Sequence, residues 1–177
     1  RDKRSTGNGY TQWKSMISRC YCKMDKDYPR YGVSGVTVDP RWFNFQNYAK
    51  FYEDNYKEGY QLDKDLLVPG NKVYSPENCR FVPSALNSLL TCCHKARGKH
   101  PIGVDFERRS GKFRAHVRKG GVRKYLGLFD CEMDAHLAYK VAKELHVKEE
   151  AERYLEDGSI DLELYDALCR YKVVDDR

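Results

Sequence analysis

Lys112-Phe113-Arg114-Ala115-His116-Val117-Arg118 alternates apolar and basic residues without a break. Side chains of an extended strand point to opposite faces with a period of two. Phe113, Ala115 and Val117 therefore share one face, and Lys112, Arg114, His116 and Arg118 share the other. Two further β segments flank this one, at 101–106 and 123–129, joined by turns at Arg109-Ser110-Gly111 and Lys119-Gly120-Gly121. Arg123 and Tyr125 are expected on the basic face, with Leu126 and Leu128 packed on the apolar one.

A helix follows, expected to be capped by Asp130, with Glu132 and Asp134 in its positive first turn and Lys140, Lys143 and His146 toward its negative end. Ala135, Ala138, Ala142 and Leu145 form its predicted inner stripe, small enough to lie close on the apolar sheet face. The pattern predicts a three-stranded antiparallel sheet covered by one helix, with its basic face left open.

Charge agrees with that placement. The 177 residues carry a formal net charge of +6, a moderate excess that permits a nucleic-acid partner without requiring one. Between Arg97 and Lys124 there are ten basic residues and two acidic ones, Asp105 and Glu107, whereas Lys148 to Arg177 holds five basic and ten acidic residues. The excess is concentrated in the sheet segment, which solubility alone does not require. A narrow basic sheet can enter a major groove, where an arginine donates two hydrogen bonds to guanine or holds phosphates. A solvated cationic face is the alternative. The expected partner is double-stranded DNA, read by Arg108, Arg109, Lys112, Arg114, His116, Arg118, Arg123, Lys124 and Tyr125.

The seven cysteines are odd in number and irregularly spaced, so no disulfide framework is expected. Cys92, Cys93 and His94 cluster and Cys20 lies near Cys22, but no C-x-x-C pair occurs, and buried thiols are preferred to a zinc site. No apolar run approaches the ~20 residues of a membrane span. The expectation is a cytoplasmic chain without a membrane partner.

Residues 9–91 read as a separate module. Trp13, Met16, Ile17 and Cys20 recur at helical spacing, Tyr31 to Val38 reads as a turn entering a short strand, and Trp42, Phe45, Tyr48 and Tyr52 form the stripe of a second helix. Leu62 to Val68 has β character, Pro69-Gly70-Asn71 is a turn, and Cys79-Arg80-Phe81-Val82 returns as a strand. Pro83 and Ser84 start a short helix. The result is strand, strand, helix. A basic linker, 92–100, separates this module from the sheet domain at 101–147. The acidic tail, 148–177, carries Ile160, Leu164, Leu168 and Tyr171 at helical spacing; this stripe packs on the body of the chain or offers a surface to a protein partner.

Ile102-Gly103-Val104, the strand from Gly111 to Arg118, Tyr125-Leu126-Gly127-Leu128-Phe129 and Ala135-His136-Leu137-Ala138-Tyr139 resemble the APETALA-type, or ethylene-response-factor, DNA-binding domain in order and spacing. The resemblance implies a sheet laid in the major groove, with Arg114, His116, Arg118, Arg123 and Tyr125 facing DNA. Asp105 and Glu107 depart from it, standing where that family places arginines.

Trp13, Arg19-Cys20-Tyr21, Tyr31-Gly32, Trp42, Phe45, Leu62-Asp63-Lys64-Asp65, the run from Gly70 to Cys79 and Asn87 resemble HNH, or ββα-metal, nucleases of tailed phages that carry such a domain behind them. This implies an α+β chain: an HNH-like ββα module, a three-stranded sheet on one helix, and a C-terminal helix. It also implies a site-recognising homing endonuclease that hydrolyses phosphodiesters with Mg²⁺ or Mn²⁺. By the resemblance Asp63 and Asn87 are the metal ligands, Asn78 is the structural Asn, and Lys64 occupies the position of the base histidine. A lysine is a poor base near neutral pH, and Asp63 and Asp65 beside it favour its charged form. Three readings follow: Asp63 or Asp65 is the base, metal-bound water suffices, or the module only binds. A non-catalytic DNA-binding protein and an interaction protein acting on a host factor are the alternative functions.

Overall fold

The computed structural model describes residues 3–90 and 99–173, with side chains from Gly9 onward. The chain is mixed α+β and divides into two compact units, Arg1–Asn87 and Ser88–Arg177. Most of the basic linker, including Cys92, Cys93, His94 and Arg97, lies outside the described residues.

The first unit is built around aromatic packing. Helix α1 (Lys3–Tyr21) buries Met16 and Cys20, with Trp13 and Ile17 packed alongside, as their spacing predicts. The second predicted stripe is broken. Trp42 belongs to a 3-10 turn, Pro40–Phe43, and helix α2 (Phe45–Asn55) starts only after Asn44, whose side chain accepts from the Gln46 N–H at 2.9 Å. The cap chemistry of Asp39 and Asn44 explains the break, since each ends one turn by starting another. Trp42, Tyr48 and Tyr52 nevertheless reach one core, where the Trp13 indole donates to the Trp42 carbonyl at 2.6 Å.

Two short sheets complete this unit. Strand β1 (Thr37–Val38) pairs in parallel with β3 (Val73–Tyr74), a pairing the sequence pattern did not announce. Strand β2 (Tyr60–Asp63) pairs antiparallel with β4 (Arg80–Pro83), aligning Asp63 with Arg80 and Tyr60 with Pro83. Helix α3 (Ser84–Leu90) follows directly, and the Ser84 hydroxyl donates to the Gly59 carbonyl at 2.6 Å. The strand, strand, helix order is as expected, but the first strand starts earlier and ends at Asp63. Residues 64–68, expected in that strand, belong to the loop.

The second unit is the predicted antiparallel sheet, ordered β5 (Val104–Glu107), β6 (Lys112–Lys119), β7 (Val122–Phe129). Helix α4 (Glu132–Glu156) covers one face through Ala135 and Ala138 against Ala115, Phe113, Leu126 and Phe129. Its cap is Cys131, with no side-chain cap bond; Asp130, expected there, instead pairs with Lys112 at 3.0 Å. Leu145, expected on the inner stripe, is 56% exposed, and Tyr139, His146, Val147 and Ala151 are buried instead. The helix runs on past 147 through Glu156, so the buried face of an α-helix drifts away from a fixed alanine stripe over its 25 residues. The first part of the acidic tail thus belongs to α4. Helix α5 (Leu162–Cys169) packs back on α4 and buries Leu164, Ala167 and Leu168, which places most of the predicted tail stripe on the chain's own body.

Gly103 is required where it stands. Its φ is +80°, and a Cβ there would lie 2.1 Å from the Tyr139 ring. The Gly-Val and Ala-x-x-Ala-Tyr segments singled out in the sequence therefore meet in space.

Candidate functional site

The basic face is set by register. Asp105 pairs with Arg114 and Glu107 with Lys112, while Arg118 pairs with Arg123 and His116 with Tyr125. Residues directly opposite share a face. Lys112, Arg114, His116, Arg118, Arg123 and Tyr125 consequently lie together, opposite the face that packs on α4.

A β-bulge between Ala115 and His116 decides two of these positions. Ala115 pairs with Gly127, but His116 pairs with Tyr125, leaving Leu126 as the extra residue. Without the bulge, Tyr125 would fall opposite Val117 and toward the helix. With it, Tyr125 turns to the basic face, where it is 62% exposed, and Lys124 takes the place opposite Val117. Lys124 was expected among the DNA-facing residues; the register puts it on the helix side. Leu128 was expected to pack under the helix, but it lies opposite Arg114, and Phe129 packs against Phe113 and Ala135 instead. Arg108 and Arg109 are exposed in the turn between β5 and β6.

Asp105, on the edge strand β5, joins arginines of the other two strands. One of its oxygens accepts from Arg114 Nε at 2.8 Å, and the other accepts from Arg123 Nη2. Burial pushes the Asp105 carboxyl up, but the hydrogen bonds from Arg114 and Arg123 outweigh it and hold the group below its ordinary range. Arg123 also donates to His116 Nδ1 at 2.9 Å, and burial together with Arg123 lowers the His116 pKa. At neutral pH His116 is therefore an uncharged acceptor for that arginine. Glu107 lies 3.5 Å from Arg114 Nη1. The two acidic residues that departed from the family resemblance are thus partners of the arginines. Each guanidinium keeps further donors, since it has five N–H groups in a fixed fork. Arg118, by contrast, has no ion-pair partner among the described residues. The sequence signal for the pinning was available: Asp105 and Arg114 sit on adjacent strands of a predicted hairpin, but its register had to be known.

The ββα site is organised by asparagines. Asn71 donates from Nδ2 to the carbonyls of Lys64 at 2.6 Å and Val73 at 2.8 Å, and its Oδ1 accepts from the Val73 N–H at 3.1 Å. Asn78 Nδ2 donates to the same Asn71 oxygen at 3.3 Å. Asn78 therefore bonds to the loop through Asn71, which sits in the expected turn and in the Gly70 to Cys79 run singled out in the sequence.

Lys64 is buried at 8% exposure, with Nζ donating to Asp65 Oδ2 at 2.8 Å and to the Asn71 carbonyl at 3.0 Å. Its ammonium is committed inside the loop. Asp63 Oδ1 accepts the N–H groups of Asp65 at 2.9 Å and Leu66 at 2.8 Å, turning the chain out of β2. Burial, and the negative charge of Asp65 next to it, push the Asp63 carboxyl up to about 6 despite those two bonds. Asn87 Nδ2 donates to Gln61 Oε1 at 3.0 Å, so it meets β2 two residues before Asp63, about 6–7 Å along the strand.

A hydrated divalent ion uses one or two carboxylates and keeps several waters. Asp63, with a disfavoured charge and its second oxygen outside the backbone bonds, fits that requirement in part; Asp65 is engaged by Lys64. Among the described residues no group of three His, Cys, Asp or Glu side chains converges on a common point. Cys20 is buried and Cys22 exposed, both as free thiols. No helix among the described residues is long and apolar enough to cross a membrane.

No family model, no curated protein and no solved structure matches this chain, so its function is argued from the geometry of these two sites.

Proposed function

We propose that this protein binds double-stranded DNA through the open face of the β5-β6-β7 sheet. The observation that carries the reading is the register that gathers Lys112, Arg114, His116, Arg118, Arg123 and Tyr125 on the side away from α4. Four permanent cations on one narrow sheet supply attraction to phosphates, and arginines held by Asp105 supply the fixed donors that base readout requires. Tyr125 adds an exposed ring with a hydroxyl. Arg108 and Arg109 at the hairpin turn extend the cationic surface toward flanking phosphates.

The test is equilibrium binding of the full chain to duplex DNA, followed by fluorescence anisotropy across salt. With roughly six phosphate contacts, affinity should fall about 10³-fold between 50 and 200 mM salt. Absence of binding at low salt would remove the proposal.

A second reading, metal-dependent cleavage by an HNH-like first unit, is favoured by one observation: Asp63 closes the first strand of a ββα unit with its carboxylate held at a disfavoured charge. Such costs are commonly kept at functional sites. Asp63 and Asn87 would hold a Mg²⁺ or Mn²⁺ ion, which supplies charge stabilisation at the leaving oxygen when bound. Asn71 and Asn78 fix the loop. Lys64, closed in by Asp65 and Asn71, holds that loop rather than taking a proton. In this reading the sheet selects the site and the first unit cuts. Nicking of supercoiled plasmid with Mg²⁺ or Mn²⁺, lost in Asp63→Ala while DNA binding persists, separates a site-recognising endonuclease from a binding protein.

A further inference from the structure

From Met133 to Leu145, five residues of α4 are exposed, and four of them, Met133, Leu137, Val141 and Leu145, are apolar and each more than half exposed. The exposed residues later in the helix are all charged: Lys148, Glu149, Glu152, Arg153 and Glu156. The outer face of a helix lying on a sheet ordinarily resembles that second half. In the first half the apolar residues recur every four positions, which sets them side by side in one row. Helix α5 packs back on α4 and leaves this row open. A contiguous apolar row on an otherwise charged surface marks a place where another surface docks.

The spacing of the row specifies that surface. Asp134, Val141 and Lys148 follow at intervals of seven residues, so they drift by only ~20° per interval and run nearly along the helix axis. Leu137 and Leu145 lie four residues to either side of Val141. Asp134 and Lys148 are exposed, and neither has an ion pair among the described residues. The pattern is self-complementary about Val141. When a second α4 lies antiparallel on the first with a two-fold axis at Val141, each Leu137 meets Leu145 of the other copy and each Asp134 meets Lys148 of the other copy. A parallel pairing would instead set Asp134 on Asp134 and Lys148 on Lys148, which like-charge repulsion opposes.

We propose that the outer face of α4 is the interface of a homodimer, in which two copies of this helix lie antiparallel about Val141. Four apolar residues per copy make a small interface, so the dimer is weak and its population rises with concentration. One consequence rests on the reading that the sheet binds DNA. Helix α4 covers one face of the sheet, and its outer side points away from the basic one. Pairing through α4 therefore turns the two basic faces to opposite sides, and one dimer holds two duplexes.

Sedimentation equilibrium of the full chain without DNA, from micromolar to near-millimolar concentration, tests the interface independently of the DNA reading. The weight-average mass of the parent should rise from 20.7 kDa toward twice that value. Val141→Glu places two carboxylates face to face, at a position 61% exposed where the fold gains little from the valine; association should weaken by at least about tenfold with an unchanged circular dichroism spectrum. Asp134→Lys and Lys148→Glu should each weaken association by about threefold to tenfold, because each sets like charges together twice. The double variant, Asp134→Lys with Lys148→Glu, should recover the parental affinity. A parent monomeric over the whole range overturns the proposal and leaves the row to a protein of different sequence. Val141→Glu associating like the parent, or a double variant no tighter than either single one, overturns it as well. Addition of a labelled duplex to the dimer should then give two duplexes per dimer. One duplex per dimer overturns the opposed arrangement, whereas no binding at low salt removes the DNA reading and leaves the interface in place.

Discussion

Asp105→Asn separates a basic face that merely attracts DNA from one that reads it. The aspartate divides its oxygens between Arg114 Nε and Arg123 Nη2, so a single carboxylate fixes two guanidinium planes on two strands. Asparagine retains one acceptor oxygen and can serve only one of them. Its neutrality also adds one net positive charge to the face. The two consequences have opposite signs. Binding to an arbitrary duplex should tighten at low salt, with a slope steeper by about 0.9 if one more phosphate is neutralised, a change of roughly threefold between 50 and 200 mM salt. Discrimination should fall, because a well-aligned bidentate arginine contributes ~1–3 kcal/mol against a wrong base and alignment is what the carboxylate provides. Partial loss at one of two arginines corresponds to roughly tenfold in the ratio of preferred to scrambled affinity. The preferred duplex would come from selection on a random library with the parent protein, and parent and variant would be compared across salt with helix content checked by circular dichroism. An unchanged ratio, or weaker binding to the scrambled duplex, would refute the positioning argument.

Arg114→Ala should likewise lower affinity for the preferred duplex by ~1–3 kcal/mol and relax base choice, as library selection on the variant would record. Gly103→Ala should destabilise the second unit by about 2–4 kcal/mol, through a left-handed backbone and a Cβ 2.1 Å from Tyr139, measured as lost amide-exchange protection on β5 and β6. Asp63 binds its proton more tightly folded than unfolded, so its contribution to stability falls as pH rises from about 4 to 6 and stays low above that. Asp63→Asn, which can still accept from Asp65 and Leu66, should therefore stabilise the first unit by about 1–2 kcal/mol at pH 7 and hardly at all at pH 4. Urea unfolding followed by tryptophan fluorescence reports this unit alone, because Trp13 and Trp42 are the only tryptophans. By the same assay Lys64→Ala should cost about 1–3 kcal/mol, since it leaves the half-buried Asn71 carbonyl without its donor, and Lys64→His should not raise nicking.

Sequence alone determined what depends on short-range periodicity. The alternation from Lys112 to Arg118 fixed a strand with one basic and one apolar face, Gly111, Gly120 and Gly121 fixed its turns, and Trp13, Met16 and Cys20 fixed the buried side of the first helix. These follow from the two-residue and 3.6-residue repeats, which need no knowledge of a partner. Tertiary structure decided whatever depends on how elements meet. One unpaired residue, Leu126, let Tyr125 keep the expected basic face while Leu128 moved opposite Arg114 and Lys124 opposite Val117, because a single bulge inverts the facing of the residues on one side of it relative to the other. Asp105 changed from a departure among arginines into their anchor only when the hairpin register set it opposite Arg114. Lys64 sat beside Asp63 and Asp65 in the sequence, but the loop folding around Asn71 turned its ammonium inward to Asp65 and a carbonyl. Lys143 read as a helix-end charge until α4 lay across the sheet and set it in the lining of the same surface cleft as Arg118, twenty-five residues earlier in the chain.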